Sequence, residues 1–188
     1  MKITVIGGGN VGLSLAYALI LRQACDEIVL IERDEDKIIA RDLELSQSIA
    51  ALNLDISLTC TSEYDKCVGS DIVVFCAGFP RKAGQSRNEL LQTNANIMLD
   101  CAKKLKNFVP NPLFIILTNP VDFLLNTLYE SKIFDSKKII AMAGTLDNAR
   151  FKYELAKKFE CSTLDIDTKL IGFHNDDMVL LKSHSLYK

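Results

Sequence analysis

Residues 3–21 read Ile3-Thr4-Val5-Ile6-Gly7-Gly8-Gly9-Asn10-Val11-Gly12-Leu13-Ser14-Leu15-Ala16-Tyr17-Ala18-Leu19-Ile20-Leu21. A β-branched run over 3–6 ends at a glycine cluster, and an apolar helical pattern over 11–21 opens out of it. The cluster fits G-x-G-x-x-G and stands where that pattern needs to stand, directly after a strand and at the start of a helix. Gly7 permits the tight turn, Gly9 lets backbone N–H groups approach a pyrophosphate, and Gly12 lets the helix pack closely on the strand. The helix N-terminus favours the anion. Glu32 lies 20 positions beyond Gly12, at the end of the next strand. Its carboxylate can accept hydrogen bonds from adenosine ribose hydroxyls and would repel a 2′-phosphate, which favours NAD over NADP; Arg33 beside it weakens that preference. Gly7, Gly9, Asn10, Val11, Gly12 and Glu32 are therefore candidate cofactor residues. The competing explanation is an ordinary glycine turn with an unrelated acidic residue.

The same alternation continues along the chain. Short apolar runs over 28–31, 56–60, 72–75, 113–117 and 139–142 predict five more strands. Helical patterns over 34–51, 89–106, 121–131 and 146–159 predict the helices between them. The strands are continuously apolar, as expected when both faces of a sheet are covered. Six strands in β-α-β order predict an α/β fold with a Rossmann-type doubly wound parallel sheet. The sixth strand ends near Met142, so residues 1–142 are expected to form a dinucleotide-binding domain and residues 143–188 the beginning of a second one.

Composition narrows the function classes. With 188 residues the chain is long enough to bury a core without disulfides or metal. Hydrophobic residues make up 48% and charged residues 24%, which argues against disorder. The balance of 22 basic against 24 acidic side chains leaves −2, so no broad basic surface for nucleic acid is implied. No apolar run approaches the roughly 18 residues of a membrane span, and the start of the chain has no signal-peptide pattern. The cysteines, at 25, 60, 67, 76, 101 and 161, form no C-x-x-C pair and sit mostly in apolar stretches. They are expected to be reduced thiols in a cytoplasmic protein, with no metal bound.

Four further stretches carry chemistry. After the fourth strand comes Ala77-Gly78-Phe79-Pro80-Arg81-Lys82-Ala83-Gly84-Gln85-Ser86-Arg87-Asn88-Glu89. This loop falls at the carboxyl edge of the sheet, where ligands of this architecture bind. Ser86 and Glu89 have capping-box spacing, which would put Arg87 on a rigid first helical turn, with Arg81 on the mobile part between Gly78 and Gly84. The basic residues suit an anionic substrate, although a solvated basic loop explains this segment alone equally well. Thr118-Asn119-Pro120-Val121-Asp122 follows the fifth strand, Leu146-Asp147-Asn148-Ala149-Arg150 the sixth, and Gly172-Phe173-His174-Asn175-Asp176 comes last.

Taken in order, these five motifs resemble the lactate/malate dehydrogenase family, the malate branch more closely. The resemblance runs from Ile3 to about Ser183. It implies reversible hydride transfer between NAD(H) and malate or oxaloacetate, a reaction of the tricarboxylic acid cycle. His174 matches the catalytic histidine, which gives a proton to the carbonyl in one direction and takes the hydroxyl proton in the other; an unperturbed pKa of about 6.5 suits both roles. Asp147 matches the aspartate that orients the imidazole and stabilises its cation, the role an aspartate also has in the serine-protease triad. Arg150 matches the arginine that grips the substrate carboxylate, Arg87 the one that polarises the carbonyl, and Arg81 the position that selects a dicarboxylate over pyruvate. Asn119 matches the asparagine that contacts substrate and nicotinamide. Asn94, Leu117, Thr118 and Asn119 match cofactor contacts, and residues 79–84 match a lid that closes over substrate.

The sequence departs from the family at Phe173 and Asn175, where glutamate and glycine are usual. It also stops where family members continue, so the fold is expected to close with an incomplete α+β catalytic domain. Three functions are open on these grounds. The first is an NAD-dependent malate dehydrogenase. The second is a dinucleotide-binding fragment with little or no turnover, because the terminus lies just past His174. The third, weaker, is a lactate dehydrogenase. Helix 34–51 carries two apolar sets, Ile38, Leu45 and Ile49 on one side and Ile39, Leu43 and Ala50 on the other. A single buried stripe does not need both, so a homo-oligomer through this helix is one explanation and a broadly buried helix the other.

Overall fold

The structure, a computed structural model, describes residues 1–80, 84 and 87–187. Six parallel strands form the central sheet: β1 (Lys2–Ile6), β2 (Glu27–Ile31), β3 (Ser57–Thr61), β4 (Ile72–Phe75), β5 (Leu113–Ile116) and β6 (Ile139–Ala141). Their order is β3-β2-β1-β4-β5-β6. The order reverses between β1 and β4, which pair in register from Ile3 opposite Ile72 to Ile6 opposite Phe75. A crevice opens at that reversal, beyond the carboxyl ends of the strands.

Helices α1 (Asn10–Leu21), α2 (Glu35–Ala51), α3 (Arg87–Lys106), α4 (Val121–Ser131) and α5 (Gly144–Phe159) connect and flank the strands. The inner strands are mostly apolar because their alternate residues serve opposite covered faces, whereas β3 at the sheet edge reads Ser-Leu-Thr-Cys-Thr and buries Cys60 alone. Val73, Phe75, Phe114 and Ile116 pack with Met98 and Leu105 of α3 and with Leu124 and Leu128 of α4. Ile3, Val5, Ile28 and Leu30 pack on the other face with Ala16 and Ile20 of α1 and Leu45 and Ile49 of α2. Stacked rings of Phe75, Phe114 and Phe134 run through the first of these layers. Truncating one fully buried ring to alanine typically costs about 3–5 kcal/mol.

Local sequence sets the ends of these helices. Asp34 caps α2 by accepting from the Lys37 N–H, and Glu35 and Asp36 follow in its first turn. α3 begins at Arg87 and α5 at Gly144. Each starts two residues ahead of its apolar pattern, which marks the packed face and not the first turn; for α3 this puts Arg87 in the first turn, as the Ser86 and Glu89 spacing predicts. β6 stops at Ala141, one residue short of expectation, since the chain turns into α5. The capping box expected at Ser86 lies outside the described residues.

After α5 the chain forms only short pieces. β7 (Ile166–Asp167) pairs antiparallel with β10 (Leu186–Tyr187), and β8 (Leu170–Ile171) with β9 (Val179–Leu180). Asn148 of α5 fastens this region, its side-chain oxygen accepting from Thr168 Oγ1 at 3.0 Å and the Leu170 N–H at 3.3 Å. No helix among the described residues is long and apolar enough to cross a membrane.

Candidate active site

The crevice at the strand reversal is a cavity of about 310 Å³, lined among others by Gly7, Gly9, Glu32, Tyr64, Gly78 and Ile97. Its floor is the glycine turn. Gly7 has φ +105°, a conformation open to glycine, and a Cβ there would meet the Ala77 backbone at 2.7 Å. A Cβ on Gly12 would lie 1.9 Å from the Gly7 carbonyl oxygen, whereas one on Gly9 would meet nothing within 4 Å. Close packing under the turn and open space above it are what a pyrophosphate cradle requires. The first turn of α1 carries no acidic residue and no side-chain cap, so its N–H groups and dipole are left for an anion. A dinucleotide fits these residues.

Glu32 stands at the rim. Its Oε1 accepts from the backbone N–H of Arg33 at 2.7 Å and of Asp34 at 3.3 Å. A Cβ on Gly8 would lie 2.9 Å from Oε2. The carboxylate is thus held over the glycine turn by the start of α2. Arg41, further along α2, has a buried Nε with no hydrogen-bond partner among the described residues, packed near Gly8.

Asn94 is 1% exposed, and its amide is engaged on both sides. Oδ1 accepts from the Phe79 N–H at 2.9 Å, while Nδ2 donates to the carbonyls of Phe79 and Asn119. Thr118 Oγ1 donates to the Ala77 carbonyl at 2.8 Å. Asn94 and Thr118 therefore brace the loop after β4 against the loop after β5. The cavity walls that the motifs do not reveal, Tyr64, Ile97 and Cys101, had a partial signal: Asn94, Ile97 and Cys101 are spaced i, i+3, i+7 and share one helix face. Burial pushes the Tyr64 hydroxyl and the Cys101 thiol up, so both line the wall in neutral form.

His174 and Asp147 come together from 27 residues apart. His174 Nδ1 lies 2.6 Å from Asp147 Oδ2, and Asp147 is 5% exposed in the first turn of α5. The contact occupies Nδ1 and leaves Nε2 as the ring nitrogen turned away from Asp147. Arg150 Nη1 lies 3.5 Å from Asp147 Oδ1, with its side chain 64% exposed. At that exposure the ion pair itself adds little stability, and most of the guanidinium remains available.

The departures at 173 and 175 have local explanations. Phe173 is exposed. Asn175 Oδ1 accepts from the Asp177 N–H at 2.9 Å, so the asparagine builds its own turn in a backbone that needs no positive φ there. Gly172, by contrast, has φ +117° and keeps its glycine. Arg87 opens α3 after the loop. Arg81 lies outside the described residues, as do Lys82 and Ala83 of the expected lid. All six cysteines are free thiols; burial raises Cys60 and Cys76 to about 12.

Comparison with known proteins gives a consistent placement. Residues 1–141 match the lactate/malate dehydrogenase NAD binding domain. The chain is 70% identical over its whole length to a probable malate dehydrogenase of Campylobacter jejuni, covering 63% of that protein. It superposes on the malate dehydrogenase of Aeropyrum pernix with a TM-score of 0.92 at 34% identity, covering 98% of this chain and 60% of that one. The lactate dehydrogenase of Eimeria maxima, solved with NADH and oxamate, gives 0.88 at 27% identity, covering 99% and 56%. The chain thus spans about three fifths of the length of these relatives.

Proposed function

Because this chain belongs to the lactate/malate dehydrogenase family, we propose that the protein is an NAD-dependent malate dehydrogenase interconverting malate and oxaloacetate. The observation that carries the reading is the 2.6 Å contact of His174 with Asp147, with Arg150 on the same carboxylate. It supplies a proton-exchanging imidazole, its orienting anion and a carboxylate-binding cation at one place. The glycine turn and the N-terminus of α1 would hold the pyrophosphate, and Glu32 the adenosine ribose. The chemistry supplied by a bound nicotinamide is hydride donation to, or acceptance from, the substrate carbon.

The residues of this chain do the rest. In the reductive direction His174 gives a proton from Nε2 to the carbonyl oxygen as the alcohol forms, and Asp147 stabilises the imidazolium beforehand. In the oxidative direction His174 takes the hydroxyl proton. Arg150 binds one substrate carboxylate through its planar fork, Arg87 stabilises charge on the reacting oxygen, and Asn119 orients the substrate. Arg81 pairs with the second carboxylate and makes the substrate a dicarboxylate. Residues 1–142 and 143–188 act as cofactor and substrate parts, the protein works in the cytoplasm, and α2 joins copies through Ile39 and Leu43, which are 68% and 58% exposed.

The test is NADH oxidation by the protein at the full length its gene encodes, with oxaloacetate and pyruvate compared. Oxaloacetate is expected to be preferred by about 10³-fold or more, as for recognition by a paired charge. Arg81→Gln should move the preference toward pyruvate; an unchanged preference would count against the dicarboxylate assignment. A second reading applies to these 188 residues alone, that they bind the dinucleotide with little turnover. It is favoured by the exposed apolar side chains Phe159, Leu164, Phe173 and Leu186 in the substrate part.

A further inference from the structure

Asp122 lies in the first turn of α4, and its Oδ2 accepts a hydrogen bond from the backbone N–H of His174 at 2.8 Å, across 52 residues of sequence. His174 is thereby held at two points by carboxylates on two different helices, its ring by Asp147 and its main chain by Asp122. We propose that Asp122 is a positioning residue, which fixes the catalytic histidine relative to the substrate-binding loop after β5. The proposal rests on the reading of His174 as the acid–base group.

The surroundings of His174 explain why such a clamp matters. The strands on either side, β8 and β9, pair over two residues each. Within the loop itself the hydrogen bonds are local, from Asn175 to Phe173 and between Asn175 and Asp177. Phe173 is exposed and contributes no packing anchor. A loop supported this lightly would sample several positions of its imidazole. α4, in contrast, is rooted in the core by Val121, Leu124 and Leu128. It also begins just after Asn119, so Asp122 refers His174 to the same rigid base that carries a substrate-contacting residue. The charge on the acceptor strengthens the bond, and a carboxylate is favoured in a first helical turn.

Two variants of the full-length protein test this, with Asp122→Ala removing the acceptor and Asp122→Asn keeping a side-chain oxygen. Asp122→Ala should lower kcat for oxaloacetate reduction about tenfold, the effect of one lost charge-assisted hydrogen bond. NADH affinity, read by fluorescence titration, should stay at the wild-type value. Hydrogen exchange over residues 172–178, followed by mass spectrometry, should accelerate by a similar factor. Asp122→Asn should recover most of both. Wild-type kcat or unchanged exchange in Asp122→Ala would overturn the proposal. So would equal losses of kcat, thermal stability and NADH affinity in both variants, which would mark Asp122 as merely structural. If the wild-type protein reduces no oxaloacetate, the functional reading falls, and exchange with the rate of His174 modification by diethyl pyrocarbonate still decides the clamp: faster in Asp122→Ala supports it, unchanged overturns it.

Discussion

A methyl group on Gly12 would sit 1.9 Å from the carbonyl oxygen of Gly7. Nothing at that position is free to yield, because the atom it meets is backbone of the turn that would carry the pyrophosphate. Gly12→Ala should therefore push α1 away from β1, with a stability loss of about 1–3 kcal/mol as for other overpacked sites. NADH affinity should fall alongside it. Thermal unfolding and a fluorescence titration check both; wild-type affinity in the variant would show that the turn does not set the cradle. Single residues also show where the sequence was readable and where it was not. The place of Glu32 was legible from its spacing: it follows the second strand and its carboxylate lies beside the glycine turn. The position of Asn94 was legible, but its bonding was not. Its saturated amide bridges Phe79 and Asn119, and no local pattern announces a bond between loops. Asp122 was in plain view within a quoted motif, yet its partner is a backbone N–H 52 residues away, to which sequence spacing is blind.

Elements were legible to within a turn. Apolar runs marked the inner strands because both faces are covered, β3 at the edge being more polar, and the doubly wound sheet followed from the β-α-β alternation. Helix starts were less legible, since Arg87 and Gly144 stand ahead of the apolar periodicity that marks each helix. Helix α2 divides its apolar residues between two faces. Leu45 and Ile49 are buried on the sheet, while Ile39 and Leu43 stand one turn apart on the outer face and are mostly exposed. Exposed apolar pairs on one stripe favour a protein partner. We expect wild-type protein to sediment as an oligomer at micromolar concentration and the Ile39→Glu, Leu43→Glu double variant as a monomer of unchanged fold. A wild-type monomer at that concentration would remove α2 as an interface.

At the scale of the molecule, one layer of apolar side chains on each face of the sheet accounts for the NAD-binding region, and the His174–Asp147 pair sits just beyond it. The contrast between the parts is physical. The sheet region closes its own core, whereas the chain from the end of α5 onward shows two-residue strands and exposed Phe159, Leu164 and Phe173. The surroundings of His174 combine α4, α5 and the β8–β9 pair, so its supports come from three places in the sequence that no single motif connects. In the proposed reaction His174 exchanges the proton while the glycine turn holds the dinucleotide. The most direct measurement is a comparison of wild-type and His174→Gln full-length protein by NADH titration and oxaloacetate-dependent NADH oxidation. Equal NADH affinity with turnover reduced about 10²–10⁴-fold is the predicted result, the range for loss of a positioned acid–base group. Turnover by His174→Gln at the wild-type rate would contradict it.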